Sequence, residues 1–394
     1  MKILQLHNRY QIVGGEEGVV QSEQQLLKDH GHGVRLLEVS NDDLVGAKAK
    51  AVAAVSAVYS YGSRSLVTEE IKAFQPDLVH VHNFFPLLSP SVYDACRTAG
   101  IPVVQTLHNY RLACPKAMFF RNNQICEACL DQKSLLPSVK YGCYRGSKAQ
   151  SAVVAAMLTL HRQRNTWNGR VDAYIALTAF QKAKLIQAGI DGDRIHVKPN
   201  FVYPPSLEKV EVSNNPYFLF VGRLATEKGV ETLIDAYRQD ASLWPLKVVG
   251  DGPLNEQLRS ASAALGDRVQ FLGRQDKAAV LRLMQGAYAL VFPSIWYEGF
   301  PLTIAEAFAC GLPVVVPKLG SMAEIVNPGV TGLHYQPGDV GDLAARLRWL
   351  MGHGEMRSKY SGAAREQFET RYTPGANYGE LMAIYQKVYH GAIS

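Results

Sequence analysis

The feature of this sequence that most constrains its fold is a repeated alternation between short apolar runs and longer amphipathic stretches. The apolar runs are rich in Val, Ile and Leu, and stretches such as Val19–Asp29 and Pro90–Ala99 lie between them. A strand–helix–strand series of this kind predicts parallel sheets with helices on both faces. The predicted strands are Ile3–Leu6, Val34–Val39, Leu78–Val81, Val103–Leu107, Ala173–Leu177, Ile195–Val197, Tyr217–Val221, Leu246–Val249, Val269–Leu272, Ala289–Phe292, Val314–Val316 and Leu333–Tyr335.

The series is interrupted once. Residues 203–216 are polar and rich in Pro, Ser and Asn, which is typical of a linker. The pattern predicts an α/β protein of two doubly wound, Rossmann-like domains facing each other across a cleft. We assign residues 1–202 to the first domain, with a long cysteine-containing insertion at 109–148, and residues 203–373 to the second. The C-terminal helix, 374–394, is expected to join the first domain.

Composition excludes several classes of protein. The chain has 394 residues, of which 47% are hydrophobic and six are Cys, so a disordered chain and a disulfide scaffold are both excluded. No apolar run approaches the roughly 18 residues of a membrane span. The N-terminal residues Met1–His7 become polar too early for a signal peptide and fit a buried strand, so we expect a cytoplasmic protein.

The net charge of +6 is unevenly distributed. Residues 111–170 contain 10 Lys and Arg but only two Asp and Glu, a local charge of +8. A basic block of this kind indicates a polyanionic partner or simply a solvated surface. The candidate partners are an anionic membrane surface, where the protein would sit peripherally at the inner face, and a phosphorylated acceptor. Nucleic acid is not expected, because no nucleic-acid-binding motif accompanies the block.

Two motifs in the second half suit a phosphorylated sugar. Arg223 and Lys228 lie in a turn between a predicted strand and a helix, where two cations can bind a diphosphate. Glu298 and Glu306 flank the start of another predicted helix, where carboxylates can accept hydrogen bonds from hydroxyl groups. The structural alternatives are an ordinary surface turn for the first motif and, for Glu306, an acid favoured by the helix dipole.

With these motifs in place, the sequence resembles the family 4 retaining glycosyltransferases, which have the GT-B fold. The resemblance covers nearly the whole chain, and its most specific part is the pair of glutamates. It rests on the segments Gly14–Glu16, Asp77–His82, Thr106–Asn109, Gly222–Gly229, Gly250–Pro253, Leu272–Gly273, Glu298–Ala307 and Gly311–Val314.

The resemblance implies a role for each matching residue. Arg223 and Lys228 would neutralise the diphosphate of a UDP- or GDP-linked sugar, Glu298 would bind the transferred sugar, Glu306 would bind the ribose, and His108 would lie near the anomeric carbon. It also implies front-face transfer with no covalent intermediate and no catalytic cofactor or metal. The remaining donor-binding residues implied are Gly15, Leu272, Gly273, Gly299, Phe300 and Leu302.

Polar residues that follow predicted strands of the first domain are candidates for binding the acceptor. Amide, aromatic and guanidinium groups suit carbohydrate hydroxyls and ring faces, although each residue could instead serve the local structure of a strand end. These candidates are Asn8, Tyr10, Asn83, Asn109 and Arg111.

Four of the six cysteines lie in the insertion. Cys114, Cys126, Cys129 and Cys143 have a spacing compatible with a structural zinc site, with disulfides or with free thiols. Asp191 and Asp193 have the spacing of a metal-binding carboxylate pair, but their position between a helix and a strand favours a polar turn.

Other functions fit the same two-domain architecture. A nucleotide-sugar epimerase would need no acceptor, a phosphorylase would need free phosphate, and a two-lobed sugar- or nucleotide-binding protein would bind without turnover. Transfer in polysaccharide or cell-envelope biosynthesis is the function that the resemblance favours.

Overall fold

The structure is a computed structural model that describes residues 1–9, 14–40, 56–205 and 215–393. Within these ranges the chain divides into two compact units. The first contains residues 1–119, 126–200 and 377–394, and the second contains residues 120–125 and 201–376. None of the described helices is both long enough and apolar enough to cross a bilayer.

Strands are numbered in chain order, and those up to residue 200 come first. They are Lys2–Arg9 (β1), Gly33–Ser40 (β2), Leu78–Asn83 (β3), Val103–Leu107 (β4), Phe120–Arg121 (β5), Gln124–Ile125 (β6), Ala173–Ala176 (β7) and Ile195–Val197 (β8). A six-stranded parallel sheet has the order β2-β1-β3-β4-β7-β8. The short strands β5 and β6 form a separate antiparallel hairpin, which belongs to the second unit.

The α-helices around the first sheet are Gly15–Asp29, Tyr61–Phe74, Ser91–Ala99, Ala128–Asp131, Leu136–Lys140, Lys148–Gln163, Thr166–Gly169, Ala179–Gln187 and Pro374–Ile393. Several begin at a residue whose side chain caps the first turn. Thr178, for example, accepts a hydrogen bond from the backbone N–H of Gln181 at 3.1 Å. The helix Lys148–Gln163 packs Met157 and Leu158 into the core.

The first sheet is buried on both faces. Val79 and Val81 contribute to a core shared with the helices Tyr61–Phe74 and Ser91–Ala99. On the opposite face, Ile3 and Ile175 pack against Leu381 and Tyr385 of the C-terminal helix. The last helix of the chain therefore completes the core of the first unit, because it covers part of this face of the sheet.

The second unit contains the strands Phe218–Val221 (β9), Leu246–Val249 (β10), Val269–Gly273 (β11), Ala289–Val291 (β12), Val314–Pro317 (β13) and Gly332–Tyr335 (β14). They form a parallel sheet in the order β11-β10-β9-β12-β13-β14, which is the Rossmann order. The α-helices of this unit are Val230–Gln239, Asn255–Ser262, Lys277–Gly286, Leu302–Ala309, Gly320–Ile325, Val340–Gly352 and Gly354–Arg371.

The prediction of two α/β sheets with parallel strands is confirmed. All predicted strands are present, and their ends differ from the predicted ends by at most three residues. Residues 206–214 of the predicted linker lie outside the described residues.

Candidate active site

In the second unit, the strand order reverses between β9 and β12, so the loops that follow these two strands are neighbours at the carboxyl edge of the sheet. Ligands of open parallel sheets bind at such a reversal. The loop after β9 contains Arg223 and Lys228, and the loop after β12 contains Glu298. The fold thus brings three of the predicted site residues to the same edge of one sheet.

The two loops are joined by backbone contacts. The N–H of Ile295 donates to the carbonyl oxygen of Glu227 at 3.0 Å. Gly229 has a φ of +66°, and a Cβ atom placed on it would lie 2.1 Å from the carbonyl oxygen of Pro293. Only glycine allows this close approach, because any side chain would push the loops apart.

Lys228 and Glu298 form an ion pair. The Nζ atom of Lys228 lies 2.7 Å from Oε1 of Glu298, and this oxygen also accepts hydrogen bonds from Ser294 at 2.5 Å and from Trp296 at 2.8 Å. Glu298 is only 6% exposed. Whereas the resemblance implies that Glu298 faces the sugar hydroxyls, in this structure its Oε1 atom orients Lys228. Arg223 is exposed and makes no side-chain ion pair with any described residue.

Glu306 lies on the helix Leu302–Ala309 and is half-buried. Burial raises the pKa of Glu306, and the ammonium of Lys277, 4.0 Å away, opposes that increase. The sequence analysis did not single out Lys277. A carboxylate held beside one exposed lysine is suited to accept hydrogen bonds from vicinal hydroxyl groups.

The segment before this helix is fixed by packing. The ring of Phe300 is buried 5.5 Å from that of Tyr372, and Pro301 accepts a hydrogen bond from the N–H of Ile304 at 2.9 Å. The first N–H groups of a helix, here including that of Leu302, have no intrahelical partner and are free to bind an anion. Gly299 lies in the loop before this turn.

The predicted base-binding residues end strand β11. Gly273 has a φ of +67°, and its carbonyl oxygen accepts the N–H of Gly250 at 2.9 Å. Leu272 borders a shallow surface depression, together with Gln275 and Arg282. The depression lies at the same edge of the sheet as the loop after β9, because β11 and β9 are both parallel to β10.

In the first unit, the strand order reverses between β1 and β3. Asn8 and Asn83 end these strands, and both side chains are buried and bonded to backbone. The amide of Asn83 donates to the carbonyl oxygen of Asn8 at 2.7 Å, and Oδ1 of Asn8 accepts the N–H of Leu87 at 2.7 Å. These contacts hold the two loops together. Tyr10, another predicted acceptor residue, lies outside the described residues.

Asn109 and Arg111 follow strand β4. Oδ1 of Asn109 accepts the N–H of Arg111 at 3.0 Å, which forms a local turn. The guanidinium of Arg111 lies over the rings of Phe85 and Tyr144, at 4.5 and 5.3 Å, and donates to the carbonyl oxygen of Pro115. Its Nε atom has no hydrogen-bond partner.

Gly15 begins the helix Gly15–Asp29, and Glu16 follows it beside the buried His7. Nδ1 of His7 lies 3.8 Å from Oε1 of Glu16. Burial, together with Glu17, raises the pKa of Glu16 to about 8, and burial lowers the pKa of His7 to about 4. Within the parts of the chain that the structure describes, neither ring nitrogen of His7 has a hydrogen-bond partner. Both side chains are therefore neutral near pH 7, and both retain unused hydrogen-bonding capacity.

His108 belongs to a buried network that the sequence analysis missed. Its Nε2 atom lies 3.1 Å from Nδ1 of His82, and Nε2 of His82 lies 3.2 Å from Oε1 of Glu23. His80, on the same face of β3, approaches the same carboxylate oxygen at 3.0 Å. The signal in the sequence was two histidines spaced two apart on a buried strand, which must share one face.

The network is completed by residues distant in sequence. Nζ of Lys198 lies 3.6 Å from Oε2 of Glu23 and donates to Asn377 at 3.1 Å. The hydroxyl of Tyr385 lies 2.7 Å from Nδ1 of His80. Glu23, His80 and His82 are the one group of three or more metal-ligand side chains found within metal-binding distance in the described parts of the chain. The ammonium of Lys198 already supplies a positive charge beside the carboxylate of Glu23. The group is therefore better suited to hydrogen bonding than to binding a metal ion.

The structure contains six free cysteines. Burial raises the pKa of Cys129 to about 11, and the nearby Cys114, Cys143 and Cys126 act in the same direction. However, no three of these sulfur atoms lie within 4.8 Å of one another, so the four thiols do not fit a shared zinc ion in this arrangement. Asp191 and Asp193 form a polar turn, since Oδ1 of Asp191 accepts the N–H of Asp193 at 3.1 Å.

Both halves of the chain match models of glycosyltransferase families. Residues 13–204 match the model described as Glycosyltransferase Family 4, and residues 206–367 match the model described as Glycosyl transferases group 1.

Among curated proteins, the chain is 31% identical over 201 residues to D-rhamnosyltransferase WbpZ of Pseudomonas aeruginosa, covering 49% of this chain and 50% of that protein. It is 30% identical over 207 residues to the phosphatidyl-myo-inositol mannosyltransferase of Mycobacterium leprae, covering 52% and 53%. The alignments thus span about half the length of these relatives.

Among solved structures, Anabaena HepE in complex with UDP matches with a TM-score of 0.67. The sequence identity is 21%, and the match covers 98% of this chain and 100% of that one. At this identity the likeness shows the fold, and the fold is that of the GT-B glycosyltransferases.

Proposed function

Because this chain belongs to the family 4 glycosyltransferases, we propose that it transfers a sugar from a nucleoside diphosphate sugar to a glycan or lipid-linked acceptor, with retention of anomeric configuration. The observation that carries the proposal is the placement of Arg223, Lys228 and Glu298 at the strand reversal of the second unit. The proposed donor carries UDP or GDP, and the proposed setting is polysaccharide or cell-envelope biosynthesis in the cytoplasm.

The proposed chemistry follows from the charges of the site. Breaking the bond between the anomeric carbon and the phosphate oxygen places negative charge on the diphosphate. Arg223, Lys228 and the helix N-terminus at Leu302 stabilise that charge, and losing one such group commonly costs a factor of about 10²–10³ in rate. The acceptor oxygen bonds to the anomeric carbon on the same face, and its proton passes to the departing phosphate oxygen. Because two side-chain cations serve the diphosphate, this step requires no catalytic metal.

The remaining donor contacts are assigned by position. Glu306 binds the ribose hydroxyls, and Leu272 and Gly273 border the base. The backbone N–H groups of Gly15, Phe300 and Leu302 bind phosphate or sugar oxygens, and Gly299 allows the donor to approach the backbone. Glu298, in addition to holding Lys228, is assigned to the transferred sugar.

A screen of donors by thermal shift tests the proposal. A nucleotide sugar present at 100 times its dissociation constant stabilises the protein by about 2.7 kcal/mol. We expect UDP- or GDP-linked sugars to raise the melting temperature more than the free sugars do. Product analysis with and without a glycan acceptor then identifies transfer. Turnover without an acceptor indicates an epimerase, and binding without turnover across all donors and acceptors contradicts the proposal.

Peripheral contact with an anionic membrane is proposed for the surface around the helix Leu136–Lys140. Leu136 is 75% exposed and Tyr141 is 46% exposed. Lys140 stacks on Tyr141 at 5.4 Å, and Arg145 and Lys148 are exposed nearby in sequence. Exposed apolar groups among basic ones suit an anionic lipid surface. Co-sedimentation with liposomes should increase with anionic lipid and decrease with salt, and binding that is independent of salt contradicts this contact.

A further inference from the structure

Three side chains of the first unit form a hydrogen-bonded chain that ends at His108. Oε1 of Glu23 lies 3.2 Å from Nε2 of His82, and Nδ1 of His82 lies 3.1 Å from Nε2 of His108. The two imidazole rings are stacked, with centroids 5.4 Å apart and an interplanar angle of 19°. Glu23 and His82 are buried, and His108 is partly buried.

The protons in this chain can be assigned. Burial alone would raise the pKa of Glu23, but the hydrogen bonds that it accepts from His80 and His82 hold the pKa well below its usual range. Burial and the neighbouring His80 lower the pKa of His82 to about 4, and burial together with His82 lowers that of His108 well below its usual range. At neutral pH, Glu23 is therefore a carboxylate and the imidazoles of His82 and His108 are neutral.

Only one arrangement of protons then satisfies both contacts. A carboxylate can only accept, so Nε2 of His82 must carry the hydrogen that it donates to Glu23. Nδ1 of His82 is consequently a bare acceptor, and it must receive the hydrogen on Nε2 of His108. The remaining nitrogen, Nδ1 of His108, is left with a lone pair.

We propose that Glu23 and His82 are positioning residues that fix His108 in the tautomer with a bare Nδ1, so that this nitrogen accepts a hydrogen bond from a substrate hydroxyl group. The substrate part of this inference rests on the proposed function. The tautomer itself depends only on the contacts within the first unit.

The surroundings of Glu23 explain why it stays ionised and fixed. Its Oε1 atom is 3.0 Å from Nδ1 of His80 and 3.3 Å from the amide nitrogen of Gln5, and its Oε2 atom is 3.6 Å from Nζ of Lys198. Donors from two strands, β1 and β3, and from the segment after β8 therefore hold one helical carboxylate. A buried polar network with this many partners allows one orientation of its members.

The surroundings of His108 indicate the chemical class of the ligand. His108 lines a cavity of about 20 Å³ together with His82, Asn109 and Arg111. That volume accepts roughly one water-sized group, such as a hydroxyl. No side-chain or backbone donor in the described residues bonds to Nδ1 of His108, whose ring makes its one hydrogen bond to His82. A hydroxyl group of a sugar donor or acceptor is a donor of the right size.

Nitrogen-15 spectra of histidine-labelled protein test the tautomer directly. We expect the wild-type His108 to show a protonated Nε2 and a bare Nδ1, unchanged between pH 6 and pH 8. His82→Phe removes the acceptor of the Nε2 hydrogen, so His108 should populate both tautomers. His82→Gln can donate to Glu23 and accept from His108 through one amide group, so it should restore the wild-type spectrum.

His80→Gln is the matched control, because His80 is equally buried and contacts the same carboxylate but does not touch His108. It should leave the tautomer of His108 unchanged even if it lowers the melting temperature. In transfer assays, His82→Phe should lower kcat/KM roughly tenfold, the loss of one or two neutral hydrogen bonds. His82→Gln and His80→Gln should stay within about threefold of wild type.

A protonated Nδ1 on wild-type His108 overturns the inference, as does a single unchanged tautomer in folded His82→Phe. If His82→Phe does not fold, the wild-type and His82→Gln spectra still decide the question. Failure of the proposed function would instead show as absent donor binding with the expected spectra intact.

Discussion

The ammonium of Lys228 and the carboxylate of Glu298 lie 2.7 Å apart, although they come from loops that follow two different strands. Glu298 is nearly buried, and its Oε1 atom also accepts from Ser294 and Trp296. A cation held in this way is presented in a fixed position, which suits the binding of a diphosphate whose charge increases during transfer.

Replacing either member of this pair should impair transfer, but the two substitutions should differ in their effect on the stability of the protein. Lys228→Ala removes a cation and should lower kcat by about 10²–10³. Glu298→Ala should do the same and also destabilise the fold by about 1–3 kcal/mol, because Lys228, Ser294 and Trp296 lose their acceptor. Rate assays and denaturant unfolding measure both effects, with the exposed Lys359→Ala as the control. Full transfer activity in Lys228→Ala would refute the site assignment.

Glu306→Gln should weaken binding of the nucleotide sugar. Losing a charge-assisted hydrogen bond to the ribose costs about 1.5–3 kcal/mol, which corresponds to a factor of roughly 10–150 in the dissociation constant. Calorimetry with the donor identified by the thermal-shift screen measures the change. Glu355→Gln, at an exposed glutamate of the same unit, should bind as wild type does. Equal affinity in Glu306→Gln and wild type would remove Glu306 from the donor site.

Gly229 and Gly100 provide a matched pair for testing how closely the loops after β9 and β12 approach each other. Both are left-handed, with φ and ψ of +66° and 21° at Gly229 and +68° and 20° at Gly100. A Cβ on Gly229 would lie 2.1 Å from the carbonyl oxygen of Pro293, whereas a Cβ on Gly100 meets no described atom within 4 Å. Gly100→Ala should cost about 1–2 kcal/mol from backbone strain alone. Gly229→Ala should cost clearly more in denaturant unfolding. Equal costs would show that the two loops are farther apart than they are in this structure.

The stability of the protein should fall as the pH rises from about 4.5 to about 8 because of Glu16. Its pKa is raised to about 8 in the folded chain from 4.5, so the folded state keeps a proton that the unfolded state loses. Each pH unit in this window removes up to about 1.4 kcal/mol. Glu16→Gln should therefore flatten the dependence of unfolding free energy on pH, whereas the exposed Glu69→Gln should not. An unchanged slope in Glu16→Gln would contradict the raised pKa.

Thiol reactivity and metal content test the cysteine-bearing insertion. Cys96 is fully buried, and burial raises its pKa to about 12, so it should react with a thiol reagent only after denaturation. All six thiols should react in denaturant, since none is in a disulfide. The arrangement of the four cysteines of the insertion predicts no tightly bound zinc, whereas the zinc site with which their spacing is also compatible would hold one ion per chain. Elemental analysis of protein purified without added metal decides between the two.

The sequence was sufficient to predict the strands, the break between the two sheets and the loops that hold Arg223, Lys228 and Glu298. Each of these depends on local periodicity or on residues that follow a strand directly. Asn8 and Asn83 show where such local reasoning ends. Their position at strand ends was predicted, but that their amides bond the two loops to each other could be seen only in the folded chain.

The alternation of apolar runs with amphipathic stretches determined the two parallel sheets. An apolar run suits a strand that is buried on both faces, and an amphipathic stretch suits a helix that buries one face, whatever their distant neighbours are. Tertiary structure alone decided that Glu23, His82 and His108 form one chain and that the C-terminal helix supplies Tyr385 to it. These partners come from separate strands and helices, and the strand order that brings them together leaves no trace in the spacing of residues along the sequence. A charged or polar side chain forms hydrogen bonds with the groups that the fold brings within about 3 Å of it. The local pattern of residues along the sequence does not specify which groups these are.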